Sequence, residues 1–464
     1  ERELFDLLRR AAVQLQLTTV MRVAGGWVRD KLLHSTSSDI DIVVDNMSGV
    51  EFARAIASTL TERHEMGTIG VIKSNPDQSK HLETATARIH GLEVDFVHLR
   101  SEEYAEHSRI PSVKVGTPLE DALRRDFTFN ALFFNINTQQ VEDFTGKGLT
   151  DLHHRILRTP LPPLQTLCDD PLRALRAIRF ATRFDCDLDG ELKESLANLE
   201  VESKLHSKIS RERVGVELSK MLRHPHGNFS LGLIASVKLW DAVFVQSAER
   251  EMRETEAEAQ ALRVEGALLA HIVTWVCEYL QHHGKEHPSV LKQHWMERGR
   301  YVFTTFSPFF PLAEDVRLQL LLAAGCWSYL PWQVPISKKK QENLITFICS
   351  KSLKLPSRTS QHVLLLAEEA EPLWQLMAAY RHASAASAAA FPRLLWAQHS
   401  VRLGNLWKEA VILAVALGVT LQMSEIQREE ALAALQCRWD AQVSGMRTPQ
   451  QHDSWTHRTA LDET

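Results

Sequence analysis

Apolar and polar residues alternate in two different textures along the chain. At the start, Leu4, Leu7, Leu8, Ala11 and Leu15 recur at helical spacing, predicting an amphipathic helix within residues 1 to 20. From 20 to about 140 the runs are short and β-rich: "VMRVAG", "DIDIVV", "GTIGVI", "TATARI", "LEVDFVHL" and "ALFFNI". The stretch "TATARIHGLEVDFV" alternates on both sides of His90-Gly91, which predicts a hairpin. A helical pattern over 50 to 63 lies between strands. After about 146 the strand pattern gives way, and nearly every segment has helical periodicity. Proline-rich breaks fall at 159 to 163 and 331 to 335. The last 20 or so residues are polar and aperiodic, predicting a loose tail. No internal repeat appears. The expected fold class is α+β: a compact α/β domain with a small mixed sheet, then a long all-α remainder.

Composition changes this picture little. The chain has 464 residues, 44% hydrophobic and 24% charged, and its formal net charge is −5. That is ordinary globular chemistry with room for several domains. A nucleic-acid partner would need locally clustered Arg and Lys, because the whole chain is not basic. The six cysteines follow no CxxC or regular spacing, which argues against a zinc site or disulfide framework and for a reducing compartment. No apolar run reaches the ~18 residues of a membrane span. The sequence opens on Glu1, and no targeting segment is legible in it.

Candidate chemistry begins at "AGGWVRDKLLHSTSSDIDIVV", residues 24 to 44. Residues two apart on a strand share a face. Asp39 and Asp41 therefore point together, while Ile40 and Ile42 point into the core. Two neighbouring carboxylates are costly unless a cation neutralises them, and they suit Mg²⁺, which takes one or two carboxylates plus substrate phosphate oxygens. A strand with two aspartates on its solvent face is the plainer alternative. The Gly25-Gly26 turn lets backbone approach a phosphate, and Arg29 can reach the same anion. Asp95, in "LEVDFVHL", is a candidate third carboxylate for a two-metal site, or an ordinary strand residue.

"GGWVRDKLL" followed by "DIDIVV" resembles the nucleotidyltransferase signature of the polymerase β superfamily. More closely it resembles class II tRNA nucleotidyltransferases, the CCA-adding enzymes, of eukaryotic type, which share a head with bacterial poly(A) polymerases. "RRDFTFNALFFN" (124 to 135), "GLTDLHHRILRTPL" (148 to 161), "DDPLRALRAIRFATRF" (169 to 184) and "SKISRERVGVELSKML" (207 to 222) resemble the next four family motifs, in order. The resemblance covers roughly residues 20 to 225. It implies a nucleotidyltransferase head (1 to 145), a helical neck that recognises the base (146 to 225), a helical body (226 to 335), a helical tail that binds tRNA (336 to 445) and a loose end (446 to 464). Asp169 stands where Glu is commoner, and Phe129 where a smaller aliphatic is common. Neither removes a chemical group the reaction requires.

Two guanidiniums, Arg124 and Arg125, suit bidentate contact with triphosphate oxygens; a surface ion pair is the alternative. Asp126 can accept from a ribose hydroxyl, with Asn130 nearby. The resemblance implies that this motif serves the ribose and phosphates. Asp169 or Asp170 with Pro171 starts a helix on which Arg173, Arg176, Arg179 and Arg183 fall within about a third of the circumference. A solvated basic face is the plain reading. The resemblance implies instead that Asp170 and Arg173 read the incoming base, with Arg176 and Arg179 holding the triphosphate or positioning that pair. The chemistry is consistent: cytosine and adenine offer an amino donor and a ring acceptor, whereas guanine and uracil reverse both, leaving the site's groups unpaired.

The segment from Glu102 to Thr117 resembles the family's flexible loop, linked there to the change from C to A addition; Pro111, Gly116 and Pro118 suit a mobile connection. Arg213, Glu217 and Lys220 stand at helical spacing, read as an internal Arg–Glu pair, with Arg213 contact to RNA as the second reading. Lys338, Lys339 and Lys340 form a basic cluster, either a solvated loop or a phosphate contact. The eleven tryptophans mostly sit in apolar helical patterns and read as core.

The resemblance thus implies addition of CCA to tRNA 3′ ends from CTP and ATP with Mg²⁺. The partners would be the tRNA acceptor stem and 3′ end, with no membrane. The chain would act as a monomer or weak dimer inside the cell, in cytoplasm, nucleus or mitochondrion. Rival readings are a poly(A) polymerase or A-adding enzyme of the same family, a catalytically dead tRNA-binding protein, and a small-molecule nucleotidyltransferase.

Overall fold

The structure is a computed structural model that describes residues 1–37, 39–59, 69–72, 83–104, 111–244, 266–270, 272–274, 313–337, 340–380, 399, 402–403 and 406–422. They form two compact units. One holds residues 1–173 with 185–201. The other holds 174–184 with the described residues from 202 onward.

The first unit opens with helix α1 (Arg2–Gln14), whose predicted apolar face, Leu4, Leu7, Leu8 and Ala11, is buried. Then come β1 (Met21–Ala24), α2 (Gly26–Leu32), β2 (Ile40–Val44), α3 (Gly49–Thr59), β3 (Gly70–Ile72), β4 (Thr84–Ile89) and β5 (Leu92–His98). A small ribbon, β6 (Arg100–Glu103) with β7 (Ser112–Val115), precedes α4 (Pro118–Leu123), β8 (Phe133–Asn135) and β9 (Gln140–Glu142). Seven strands make one sheet in the order β3-β4-β5-β2-β1-β8-β9. Every neighbouring pair in it is antiparallel except β2 with β5. That parallel pair puts Asp41 directly beside Asp95.

Packing explains why the sheet holds. The predicted hairpin turns at His90 and Gly91, both at positive φ, as a two-residue turn between right-twisted strands demands. Phe5 of α1, Trp27 of α2 and Phe134 of β8 stack as a trio with ring centroids 5.5 to 5.8 Å apart, so α1 braces the turn that starts α2. Helix α3 lies so close to β5 that a Cβ at Gly49 would stand 2.1 Å from the Phe96 carbonyl oxygen.

Three short helices follow, α5 (Gly148–His154), α6 (Pro163–Asp169) and α7 (Leu172–Phe184). Strand β10 (Ile156–Leu157) lies between the first two and pairs in parallel with β11 (Asp187–Leu188). Helix α8 (Gly190–Leu196) belongs to the first unit, and then come α9 (Leu199–Lys208), α10 (Arg211–Arg223), α11 (Gly227–Ser236), α12 (Trp240–Phe244) and α13 (Glu314–Cys326). A hairpin, β12 (Gln333–Ser337) with β13 (Lys340–Asn343), precedes α14 (Leu344–Phe347), α15 (Ser357–Tyr380) and α16 (Trp407–Gln422). α10 crowds the 353 segment, where a Cβ at Gly215 would lie 1.8 Å from the Leu353 carbonyl oxygen. No helix among the described residues is long and apolar enough to cross a membrane.

The expectation that strands end near 146 fails twice, at β10–β11 and at β12–β13. Strands of two to five residues are too short to impose a readable period. The proline break at 331 to 335 is a bulged two-stranded ribbon, with the register shift falling between Pro335 and Ser337, where a missing N–H is tolerated. Lys340 begins β13 and is exposed. Lys338 and Lys339 lie outside the described residues, as do the tail from 446 to 464 and residues 105 to 110 of the expected loop. The described parts of that loop are the ribbon β6–β7 and a capped helix start. Thr117 Oγ1 accepts from the Glu120 amide at 3.2 Å, and Glu120 Oε2 accepts from the Thr117 amide at 2.7 Å. Gly116 and Pro118 therefore belong to a helix entry.

Candidate active site

The two aspartates of "DID" stand at the start of β2, both exposed, with Ile40 and Ile42 buried behind them. Asp95 projects from the neighbouring strand at the register of Asp41 and accepts the Thr86 hydroxyl at 2.6 Å. Among the described residues no three His, Cys, Asp or Glu side chains converge to hold a metal ion. Asp39 and Asp41 are the carboxylates that could hold a divalent cation, with Asp95 at the register of Asp41. Asp41 is reached by solvent yet has protein on most sides. That partial desolvation raises its pKa; Arg125 and Arg100 oppose the shift, and Asp95 and Asp39 add to it. A carboxylate crowded by its own kind is one that a cation relieves.

The glycine turn is fixed by the same neighbourhood. Gly25 caps α2 at φ 74°, which a side chain rarely adopts, and a Cβ there would lie 2.7 Å from Arg125 Nη1. Backbone thus meets guanidinium directly. Arg29 is buried rather than displayed. Its Nε donates to Asp30 at 2.8 Å and its Nη1 to Asn130 Oδ1 at 2.6 Å. Asn130 passes the chain on, donating to Asp126 Oδ1 at 2.9 Å. Arg29, Asn130 and Asp126 therefore form one buried row beneath the turn.

Arg124 and Arg125 follow α4 and share a buried acid that the motif reading missed. Asp121 has no exposed side-chain surface. Its Oδ2 accepts from Arg125 Nε and Nη2 at 3.0 and 2.8 Å, and its Oδ1 from Arg124 Nε and Nη2 at 2.9 and 2.6 Å. Burial alone would raise its pKa, but the two guanidiniums overcome that and hold it below the usual carboxylate value. The spacing carried a signal: Asp121 stands three and four residues before the two arginines, one helical turn away. The third motif also braces this region, since Asp151 accepts the Thr128 hydroxyl at 2.7 Å and pairs with Arg158 at 3.3 Å.

At the start of α7, Asp170 Oδ1 accepts the Leu172 amide at 3.2 Å. Arg173 is buried and donates to the Arg124 carbonyl oxygen at 2.6 Å, which joins the second and fourth motifs. Further along α7, Arg179 is buried and its Nε donates to Glu217 Oε2 of α10 at 2.6 Å, with Arg176 at 3.9 Å from the same carboxylate. The plain reading of a solvated basic face therefore fails at the buried Arg173 and Arg179 and holds at the exposed Arg183, and the Arg–Glu pair expected in the fifth motif is made by Glu217 with Arg179 of α7. Glu217 takes its closest cation from α7, 38 residues away in sequence, a distance at which no local pattern signals the pair. Arg213 is partly buried on α10.

Residues 21–158 match the poly(A) polymerase head domain. The chain is 51% identical over 229 residues to the mitochondrial CCA tRNA nucleotidyltransferase of Saccharomyces cerevisiae, covering 48% of this chain and 42% of that one. To tRNA nucleotidyltransferase cca2 of Schizosaccharomyces pombe it is 36% identical over 375 residues, 77% of this chain and 69% of the relative. The chain belongs to the tRNA nucleotidyltransferase family. Its fold matches that of a solved CCA-adding enzyme in complex with CTP, with a TM-score of 0.56 and 20% identity over 94% of this chain and 82% of that one. The chain spans about half the length of several curated relatives it matches. The family implies use of a divalent metal, for which the Asp39–Asp41 pair is the fitting donor set.

Proposed function

We propose that this chain is a template-independent tRNA nucleotidyltransferase that adds CCA to tRNA 3′ ends, using CTP and then ATP and releasing pyrophosphate. The observation that carries the reading is one connected constellation: the Asp39–Asp41 pair, the Gly25 turn against Arg125, and Arg173 anchored on the backbone of Arg124. Together they join a cation site, a phosphate site and a base-reading site in one compact unit.

The tRNA 3′-hydroxyl attacks the α-phosphate of the bound nucleotide, and the bond to pyrophosphate breaks. Asp39 and Asp41 would hold Mg²⁺, whose positive charge would favour ionisation of that hydroxyl and offset the charge that develops on the phosphate. Arg125, fixed by Asp121, faces the phosphates together with the backbone of Gly25 and Gly26. Asp126 and Asn130 lie buried beneath, beside the ribose. Asp170 accepts from the exocyclic amino group of cytosine or adenine, and Arg173 donates to the ring acceptor. Uracil and guanine would face acceptor with acceptor and donor with donor, leaving buried polar groups unpaired. Positioning of primer and nucleotide supplies much of the remaining rate enhancement. The S. cerevisiae relative's mitochondrial name supports a mitochondrial role among the intracellular compartments.

The test is primer extension on tRNA transcripts ending before CCA, after C and after CC, each given one labelled nucleotide with Mg²⁺. Two additions from CTP followed by one from ATP are expected, with Asp39→Ala/Asp41→Ala silent. Unlimited extension by ATP alone would replace this reading with a poly(A) polymerase, and binding without addition would replace it with a tRNA-binding protein.

A further inference from the structure

Arg124 is held entirely from within the protein. Its Nε donates to Asp121 at 2.9 Å and to the Arg100 carbonyl at 3.2 Å, its Nη2 donates to Asp121 at 2.6 Å, and its Nη1 donates to Glu102 Oε1 at 3.0 Å. All three nitrogens of the guanidinium are thereby engaged, as are those of Arg125, whose Nη1 donates to the Asn130 carbonyl oxygen at 3.4 Å beside its two bonds to Asp121. Glu102 lies on β6, with only 8% of its side chain exposed. Besides Arg124 it takes the Tyr104 hydroxyl on Oε2 at 2.9 Å and stands 3.2 Å from Arg100 Nε. One buried carboxylate thus gathers two guanidiniums and a phenol.

The backbone of Arg124 does separate work, since its carbonyl oxygen takes Arg173 Nη2 at 2.6 Å. A guanidinium is a rigid planar fork. Fixing one nitrogen and the plane decides where the remaining N–H groups point. The position of Arg124 therefore sets the aim of Arg173. Tyr104 borders the same place, within electrostatic reach of both Arg173 and Asp170.

We propose that Glu102 is a positioning residue for nucleotide choice, acting through Arg124 on the aim of Arg173. The inference rests on the reading of Asp170 and Arg173 as the base-reading pair. Rejection of a wrong base requires donors and acceptors that cannot re-aim. Without the Glu102 carboxylate, Arg124 Nη1 and the Tyr104 hydroxyl lose a buried acceptor. Arg124 then shifts toward other anions, including the incoming triphosphate, and Arg173 loses its fixed anchor.

The experiment uses the full chain and a tRNA transcript lacking CCA, and compares kcat/KM for CTP with UTP. ATP is compared with GTP on the transcript ending in CC. Each ratio comes from one preparation, so the folded fraction cancels. Glu102→Ala is expected to lower the CTP preference about tenfold, Glu102→Gln and Tyr104→Phe less, with the KM for tRNA within about twofold of the parent. Glu102→Gln keeps the side chain's size and one acceptor oxygen, so it carries the test if Glu102→Ala does not fold. A merely structural role would lower kcat/KM for every nucleotide alike and leave both ratios intact. The inference is overturned if the Glu102 variants keep the parent ratios while Arg173→Ala relaxes them. If Arg173→Ala keeps them too, the base-reading assignment itself is wrong, and the inference goes with it.

Discussion

Asp121 and Asp41 lie in one neighbourhood and respond to it in opposite directions. Asp121 is buried against two guanidiniums that overcome its desolvation. Its native pKa lies below the unfolded value, so the ionised form stabilises the fold. That contribution is complete above the ordinary value of 3.8 and is lost as pH falls through the native value. Asp121→Asn should cost about 3 kcal/mol in urea unfolding at pH 7, with the gap from the parent closing under strong acid. Asp41 is shifted the other way, by desolvation first and by Asp95 and Asp39 as well. In the metal-free protein its stabilising contribution is present below 3.8 and lost as pH rises through its raised native value. Asp41→Asn should therefore raise the metal-free melting temperature at pH 7 while lowering activity at least about a hundredfold. The acid limb of the pH–rate profile should also fall at a higher pH than an ordinary carboxylate gives, and move down as Mg²⁺ is raised. A variant that melts lower and stays active would contradict both halves.

At the scale of elements, buried polar contacts help to join the helices. Glu217 ties α7 to α10 through Arg179. Arg211 donates from Nε to the Ser352 carbonyl and from Nη1 to the Ala242 carbonyl, both at 2.7 Å, pinning the start of α10 to the end of α12. The turn after α10 carries His224, whose pKa is pushed down to about 4 by burial, then by His226, Arg183 and Arg317. His224 is therefore neutral in the folded protein. Its contribution to stability is full above 6.5 and declines as pH falls from there to about 4. His224→Gln should flatten the stability profile across that window in thermal melts at stepped pH. A slope equal to the parent's would assign the loss to other groups.

For the whole molecule, the net charge of −5 means that any attraction to RNA comes from local clusters of cations. The KM for tRNA should rise steeply with salt, by a log–log slope of about 0.7 to 0.9 per phosphate contacted, while the KM for CTP changes less. A tRNA KM independent of salt between 50 and 200 mM, roughly the range over which such contacts weaken, would mean that few phosphates are touched.

Local spacing was sufficient for α1, the His90-Gly91 hairpin and the alternation that exposes Asp39 and Asp41 over buried Ile40 and Ile42. These depend on periods of 3.6 and 2 and on two turn residues, all of which lie within a few positions of one another. The ordered motifs likewise marked the residues that the head brings together. Sequence alone did not reveal the ribbons β6–β7 and β12–β13, which are too short or too polar to show a period. Nor did it reveal partners far apart in the chain. Asp41 meets Asp95 because β2 pairs with β5 in parallel, Arg173 rests on Arg124 from 49 residues away, and Glu217 answers Arg179 from 38. Burial decided the rest. A stripe of arginines looks alike in sequence whether water or a buried carboxylate faces it, and only the tertiary structure brings Glu217 to Arg179.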